Sequence, residues 1–339
     1  MRSDQRPAVL VTGGAGYIGA HCAKALSEAG FLPVVYDDLS TGHESFVRWG
    51  PLVRGDIRDT GHVRQALKAH DVVAVMHFAA FSLVGESVSD PEKYYLNNLA
   101  GTLSLLQAMR EHGCNRLVFS STGAVYGNDH GKPIVETDRC EPINPYGRSK
   151  LAIEHILMDY RRAYDFRSFR LRYFNASGAD PSGLIGELRE VETHLIPRAM
   201  MAIQGHIADF AVFGTDYPTP DGTAIRDYIH VTDLAAAHVL ALGRLLGGAE
   251  GGSFNLGTGT GYSVRQILDA IAAETGFAVP HTLHPRRQGD PAILVADPSA
   301  ARDVFGFRPI HSDLAGIVRT AWNWHCHAHP RREGQLALS

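Results

Sequence analysis

The residues with the most to offer chemically are Tyr146 and Lys150, set four positions apart in Tyr146-Gly147-Arg148-Ser149-Lys150. On a helix that spacing puts a phenol and an ammonium one turn apart on the same face. A phenol of ordinary pKa, about 10, is a poor base at neutral pH, and a neighbouring cation favours its ionised form. Tyr146 could then take a proton from a substrate hydroxyl. Upstream, Ser120-Ser121-Thr122 closes a strand-like run, and the Thr122 hydroxyl is suited to share that proton. A Tyr-x-x-x-Lys match alone is weak; it equally describes a packing tyrosine at a helix start followed by a solvated lysine.

The elements that must position this pair supply the context. Thr12-Gly13-Gly14-Ala15-Gly16-Tyr17-Ile18-Gly19 directly follows a short apolar run and opens a helical pattern over Tyr17 to Ala29. Gly13, Gly16 and Gly19 fit G-x-x-G-x-x-G, and the register starting at Gly14 fits G-x-G-x-x-G. Glycines there allow a tight turn and bring backbone N–H groups onto a pyrophosphate at the positive end of a helix. After the next strand-like run comes Asp37, an acid placed to accept both hydroxyls of an adenosine ribose. No Arg or Lys between Asp37 and His43 offsets its charge, so NAD is favoured over NADP. The positive nicotinamide would add to Lys150 in lowering the Tyr146 pKa.

Runs rich in β-formers recur at Ala8 to Val11, Leu32 to Tyr36, Pro51 to Val53, Val72 to His77, Arg116 to Ser120 and Ser168 to Leu171, with helical patterns between them. That alternation predicts an α/β fold, a Rossmann-type doubly wound parallel sheet. Asp56-Ile57 and Phe78-Ala79-Ala80 then fall at carboxyl ends of strands, where such sheets bind ligands. Beyond Asn175, Gly and Pro clusters break the rhythm and indicate a smaller mixed α/β substrate lobe. The expected division is residues 1–175 for the cofactor, with return segments near 225–260 including a strand at Ser253 to Leu256. Residues 176–330 form mainly the second lobe, with helices at Ser263 to Thr275 and Ser312 to Trp324, and 331–339 a tail.

The 339 residues are 45% hydrophobic and 20% charged with a formal charge of −4, a composition of folded protein without the positive excess of a nucleic-acid binder. Cys22, Cys114, Cys140 and Cys326 form no C-x-x-C pair, so neither a thiolate metal site nor a disulfide framework is expected. No metal is expected elsewhere; His325-Cys326-His327-Ala328-His329 could ligate one, but a solvated, frayed terminus is the expected reading. The longest apolar stretch, Val72 to Gly85, contains His77 and is too short to cross a membrane. Met1 to Pro7 has no room for a signal peptide, which points to a cytoplasmic protein.

With Gly55-Asp56-Ile57-Arg58, His77-Phe78-Ala79-Ala80, Val84-Gly85-Glu86-Ser87, Arg172-Tyr173-Phe174-Asn175, Arg226-Asp227-Tyr228-Ile229-His230 and Arg286-Arg287-Gln288-Gly289-Asp290 added, the chain from Val9 to about Trp324 resembles the extended short-chain dehydrogenase/reductases, and within them the UDP-sugar 4-epimerases. The resemblance implies Tyr146 as base, Lys150 as its activator and nicotinamide-ribose ligand, and Thr122 as the partner hydroxyl. It places further NAD contacts on Tyr17, Ile18, Asp37, Asp38, Leu39, Ser40, Thr41, Gly42, Asp56, Ile57, Phe78, Ala79, Ala80, Ser82, Asn97 and Phe174. UDP-sugar contacts fall on Asn175, His194, Leu195, Ala211, Val212, Phe213, Arg226, Tyr228, Arg287 and Asp290.

The implied activity is interconversion of UDP-galactose and UDP-glucose by transient oxidation at sugar carbon 4 with tightly bound NAD. A homodimer is implied too, paired through Leu96 to His112 and Ser149 to Tyr164, whose Leu99, Leu103, Leu106, Met109, Leu151, Ile156, Leu157 and Tyr160 exceed one sheet-facing stripe. Covering the sheet is the competing use for them. Thr122 stands where many members have Ser, Ser82 where some have Lys, and His194 where some have Asn. Leu294 stands where members that reject N-acetylated sugars have Tyr, so UDP-N-acetylglucosamine, or UDP-xylose, stays open as substrate. A 4,6-dehydratase would need an Asp-Glu pair where Gly123 and Ala124 stand; a non-catalytic NAD sensor would not need Thr122, Tyr146 and Lys150.

Overall fold

In the computed structural model, which describes residues 6–127, 131–287 and 290–329, seven strands run parallel in one sheet. They are β1 (Ala8–Thr12), β2 (Leu32–Asp37), β3 (Leu52–Arg54), β4 (Val72–His77), β5 (Arg116–Ser120), β6 (Arg167–Tyr173) and, from much later in the chain, β10 (Gly251–Leu256). Their order is β10-β6-β5-β4-β1-β2-β3. All of β1 is buried, which is why it reads Ala-Val-Leu-Val-Thr rather than alternating: helices cover both faces.

One face carries α1 (Tyr17–Glu28), α8 (Val231–Leu246) and α10 (Ser299–Phe305), packed around Val9, Val11, Met76, Leu234, Leu242 and Phe305. The other carries α2 (Thr60–Ala69), α5 (Gly101–His112) and α6 (Pro145–Tyr164), packed around Leu10, Leu67, Leu105, Leu117, Ile153 and Leu157. Strand order reverses between β1 and β4, so the connections after them leave to opposite faces and open a crevice at their carboxyl ends.

Between β4 and α5 the chain forms α3 (Val84–Ser89), α4 (Pro91–Tyr94) and a π-helical stretch, Tyr95–Ala100; the sequence pattern suggested a plain helix from Leu96. Smaller sheets follow. Strands β7 (Asn175–Ser177), β9 (Ile225–His230), β11 (Gly261–Ser263) and β13 (Ile293–Leu294) form one, and β8 (Ala211–Phe213) pairs with β12 (Thr282–His284) in another. Helices α7 (Leu195–Ile203), α9 (Val264–Thr275) and α11 (Leu314–Ala328) enclose a core that includes Met200, Phe210, Ile267, Ile271 and Ile317.

The histidine-rich end departs from expectation. Rather than fraying after Trp324, α11 continues to Ala328 and buries His325 to 2% exposure, because Gln204 grips the His325 and His329 carbonyls at 3.3 and 2.9 Å. The tail 331–339 and the motif residues Gln288 and Gly289 lie outside the described residues. Among the described residues no helix is long and apolar enough to cross a membrane, and Cys22, Cys114 and Cys140 are free thiols.

Candidate active site

The glycine loop forms a cradle at the switch point. Gly13 has φ +69°, and a Cβ there would meet the Ala79 nitrogen at 2.5 Å, so only glycine lets this loop lie against the segment after β4. Thr12 anchors that segment, its carbonyl accepting the Phe78 and Ala79 N–H groups at 2.9 and 3.0 Å. Helix α1 begins at an N-cap, Gly16, without a side-chain cap, the arrangement that leaves first-turn N–H groups for an anion. Asp37 ends β2 buried, its two oxygens accepting the Ala15 and Leu39 N–H groups at 2.9 Å each. Burial raises its pKa and those bonds pull it back. Each oxygen retains a lone pair for a ribose hydroxyl. Leu39 adopts φ +62°, and a Cβ on Gly42 would meet the Asp37 Oδ1 at 2.9 Å, so the Asp37–Gly42 loop is held tight. These features fit a dinucleotide.

Around the cradle, Asp56 is paired with Arg58 at 2.5 Å, which holds its carboxyl below the usual range. Ile57 is a core residue and can offer only backbone to a ligand. Asp38 is tied to Ser40, and Ser82 and Asn97 are half-buried near the π-helical stretch. Tyr17 donates its hydroxyl to the Gly178 carbonyl at 2.6 Å. Phe174 stacks on Tyr126 with ring centroids 6.4 Å apart.

Helix α6 brings up the candidate base. Asn144 caps it by accepting the Gly147 N–H at 2.8 Å, and Pro145 occupies the first turn. A Cβ on Gly147 would meet the Ala124 carbonyl oxygen at 2.6 Å and the Pro142 Cβ at 2.9 Å, so α6 abuts the short 3-10 turn Gly123–Val125 that Thr122 caps. Thr122 is thereby brought near the Tyr146 phenol, close enough for its hydroxyl to lower the phenol's pKa. Contrary to the expected depression, the Tyr146 pKa is raised: burial outweighs the nearby Thr122 hydroxyl and the Arg189 charge, which lower it. Lys150 donates to the Ser120 carbonyl at 2.9 Å and lies over the Phe119 ring rather than on the phenol. Burial pushes its own pKa down to about 7, with Glu154 opposing.

On the substrate side, Arg226 and Asp290 are bonded to each other at 2.5 Å. Arg287 lies over the Phe213 ring, 4.1 Å from its centroid, on the Ala211–Val212–Phe213 strand β8. Asn175 donates to the Asp227 carbonyl at 3.0 Å. Tyr228 is buried beside Arg226 and Asp290, and burial raises its pKa to about 12. Leu294 packs with Val125, Tyr126 and Phe174, next to the Thr122 turn. His194 precedes Leu195 at the start of α7 and bonds Glu187 through Nδ1 at 2.7 Å, which raises its pKa. Among the described residues, Glu187, Glu192 and His194 alone have ligating atoms within 4.8 Å of one another. Their oxygens already serve His194, Arg189 and the Thr193 and His194 N–H groups.

The profile of the NAD dependent epimerase/dehydratase family matches residues 9–257. The chain belongs to that family. A curated relative from Rhizobium leguminosarum bv. trifolii, named UDP-glucose 4-epimerase, is 51% identical over 94% of this chain and 97% of its own. The crystal structure of UDP-glucose 4-epimerase from Brucella ovis in complex with NAD superposes with a TM-score of 0.92 at 54% identity, covering 93% of this chain and 97% of that one. The Bifidobacterium longum UDP-glucose 4-epimerase in complex with NAD+ and UDP does so at 0.88 and 36% identity, covering 96% and 99%.

Within this epimerase/dehydratase scaffold, several residues beside the site have roles that the motif reading did not give them. His77 is held between Thr12 and Thr102 at 2.6 and 2.9 Å. Because Thr102 gives its proton to the Asn98 carbonyl, His77 donates from Nε2 and accepts at Nδ1. Asn98 clamps the Phe81 backbone from both amide atoms. Arg189, braced on Glu187 at 2.9 Å, acts on both Tyr17 and Tyr146. Only the run of charges from Glu187 to Glu192 hinted at it.

Proposed function

We propose that this protein interconverts UDP-galactose and UDP-glucose, and that the observation carrying this reading is the close approach of the Tyr146 helix to the turn that Thr122 caps, at the end of the strand next to the one that supplies part of a cradle suited to a dinucleotide. NAD, held by the Gly13–Gly19 loop, Asp37 and the strand-end segments, supplies a reversible hydride acceptor at sugar carbon 4. Burial raises the Tyr146 pKa, and the positive nicotinamide of bound NAD would favour the ionised phenol; that phenolate would take the proton of the 4-hydroxyl while Thr122 holds the oxygen, and the phenol would return the proton after the keto-sugar has presented its other face. Lys150, fixed on the Ser120 carbonyl, keeps a cation near the reacting groups.

Asn175, Arg226, Arg287 and Asp290 hold the UDP, with His194, Leu195, Tyr228 and β8 around it. Arginines suit a diphosphate because a guanidinium binds two oxygens at once. Fixing UDP firmly and the hexose loosely is what allows the turnover. Residues up to 175 with the later sheet-covering elements serve NAD, and the remainder serves the nucleotide sugar. The test is turnover of UDP-galactose by purified protein and by Tyr146→Phe. The variant should keep its NAD and lose about 10²–10⁴-fold in kcat, the range of general acid–base groups; wild-type turnover in it defeats the assignment. Activity should also survive a chelator.

A homodimer goes with this reading. Leu106, Met109 and Leu157 are buried in the sheet-facing core, but Leu96, Leu103, Met158 and Tyr164 are 50, 40, 40 and 48% exposed, an apolar surface that a second copy would cover. Light scattering giving a monomer at micromolar concentration would count against it. The free thiols of Cys22, Cys114 and Cys140 suit the reducing cytoplasm.

A further inference from the structure

A buried polar network between the sheet and α6 takes no part in the reaction as described. Glu154, one turn beyond Lys150, is 1% exposed. A carboxylate so placed is stable only if paired and hydrogen-bonded. Arg172 of β6 meets it, with Nη2 to Oε2 at 2.6 Å and Nε to Oε1 at 3.0 Å. Arg172 also donates to the Tyr126 hydroxyl at 2.8 Å, which donates to Asn255 at 2.7 Å. The ion pair is therefore fixed from several sides and makes a rigid anchor.

What the anchor holds is the end of β5. The Ser121 hydroxyl donates to Glu154 Oε1 at 2.5 Å, and the Ser121 N–H donates to the Leu171 carbonyl at 2.8 Å. Ser121 lies between Ser120, whose carbonyl accepts Lys150, and Thr122, which caps the turn that the Tyr146 helix abuts. Helix α6 thus grips the strand end twice, one turn apart: Lys150 on the carbonyl and Glu154 on the next hydroxyl. On its far side the same carboxylate accepts the Ser253 hydroxyl at 3.3 Å, away from the reacting groups.

We propose that Glu154 and Ser121 are positioning residues of the site: the Ser121–Glu154 hydrogen bond, anchored by Arg172, sets the strand end so that Thr122 faces Tyr146 and the Ser120 carbonyl receives Lys150. The assignment rests on the reaction proposed above.

The test compares Ser121→Ala with Ser253→Ala in the full-length protein carrying its NAD. Each removes one neutral hydrogen-bond donor from the same carboxylate, but only the first lies beside Thr122. Ser121→Ala should lose on the order of ten- to a hundredfold in kcat, the effect of a sub-ångström misplacement of reacting groups. Its KM for UDP-galactose should stay within about twofold, and its Tm and NAD content should match those of Ser253→Ala. Ser253→Ala should turn over like wild type. Equal losses in the two variants, unchanged kcat in Ser121→Ala, or failure of that variant to fold or to retain NAD overturns the proposal. Inactivity of every form, wild type included, would instead count against the reaction.

Discussion

Gly147 offers the most direct check that the approach of α6 to the Thr122 turn sets the chemistry. In Gly147→Ala the new Cβ would stand 2.6 Å from the Ala124 carbonyl oxygen, with ordinary contact beginning at 3.4 Å. The helix or the turn must therefore give way by about 0.8 Å, because neither backbone is a flexible side-chain end. The yielding parts carry Tyr146 on one side and Thr122 on the other, so the phenol–hydroxyl separation absorbs much of the shift. Overpacking of this kind costs about 1–3 kcal/mol in stability, and a displacement approaching 1 Å between reacting groups costs up to about 100-fold in rate. The expected result is kcat on UDP-galactose lowered by about ten- to a hundredfold, a lower Tm, and NAD content unchanged, since the cradle lies on other elements. Gly243→Ala is the control: it sits in α8, and an added Cβ meets nothing within 4 Å. That variant should gain about 0.5–1 kcal/mol at wild-type kcat. Gly147→Ala with kcat within twofold of wild type would refute the reasoning.

Asp37→Ala should weaken NAD retention and reduce discrimination against NADP, measured by cofactor titration; unchanged affinities for both would place the ribose elsewhere. Leu294→Tyr should suppress turnover of UDP-N-acetylgalactosamine more than of UDP-galactose, by roughly 5- to 150-fold if an overpacking cost of about 1–3 kcal/mol persists in the transition state; equal losses on both sugars would count against a wall at this position. Burial lowers the pKa of His21, His230, His238 and His325 to about 4 and that of His77 to about 3. The unfolded chain binds more protons at these groups between about pH 4 and 6.5, so stability rises with pH across that window. Melting temperature should fall as pH drops through it, with His238→Phe flattening the slope; a Tm independent of pH between 4 and 6.5 would contradict the burial.

The sheet was legible because its strands are long apolar runs and its helices amphipathic: each of the six runs from Ala8 to Leu171 overlaps a strand, and Ser253 to Leu256 lies within β10. That Tyr146 and Lys150 share one helix and that Thr122 follows a strand end was legible from spacing and from the apolar run before Thr122. What escaped depends on burial and on long-range pairing. The direction of the Tyr146 shift is decided by desolvation, which no spacing reports. Arg226 and Asp290 are 64 residues apart, and Glu154 and Arg172 18 apart on different elements; nothing local signals either pairing. Strands of two or three residues such as β11 and β13 leave too short a pattern to read, and the burial of His325 follows from a glutamine more than a hundred residues upstream.

One face of the sheet is finished late. Val9, Val11, Met76 and Val118 share a core with Leu234 and Leu242 of α8, Leu256 of β10 and Phe305 of α10. During synthesis, at about 5–20 residues per second, the first six strands would leave the ribosome several seconds before the segments that cover them. Over that interval a bare apolar surface and the unpaired edge of β6 are open to chaperones or to other nascent chains. A fragment ending near residue 175 carries the same exposure permanently. The first 175 residues should therefore not fold on their own, and cofactor capture should become possible only once about nine-tenths of the chain has been made.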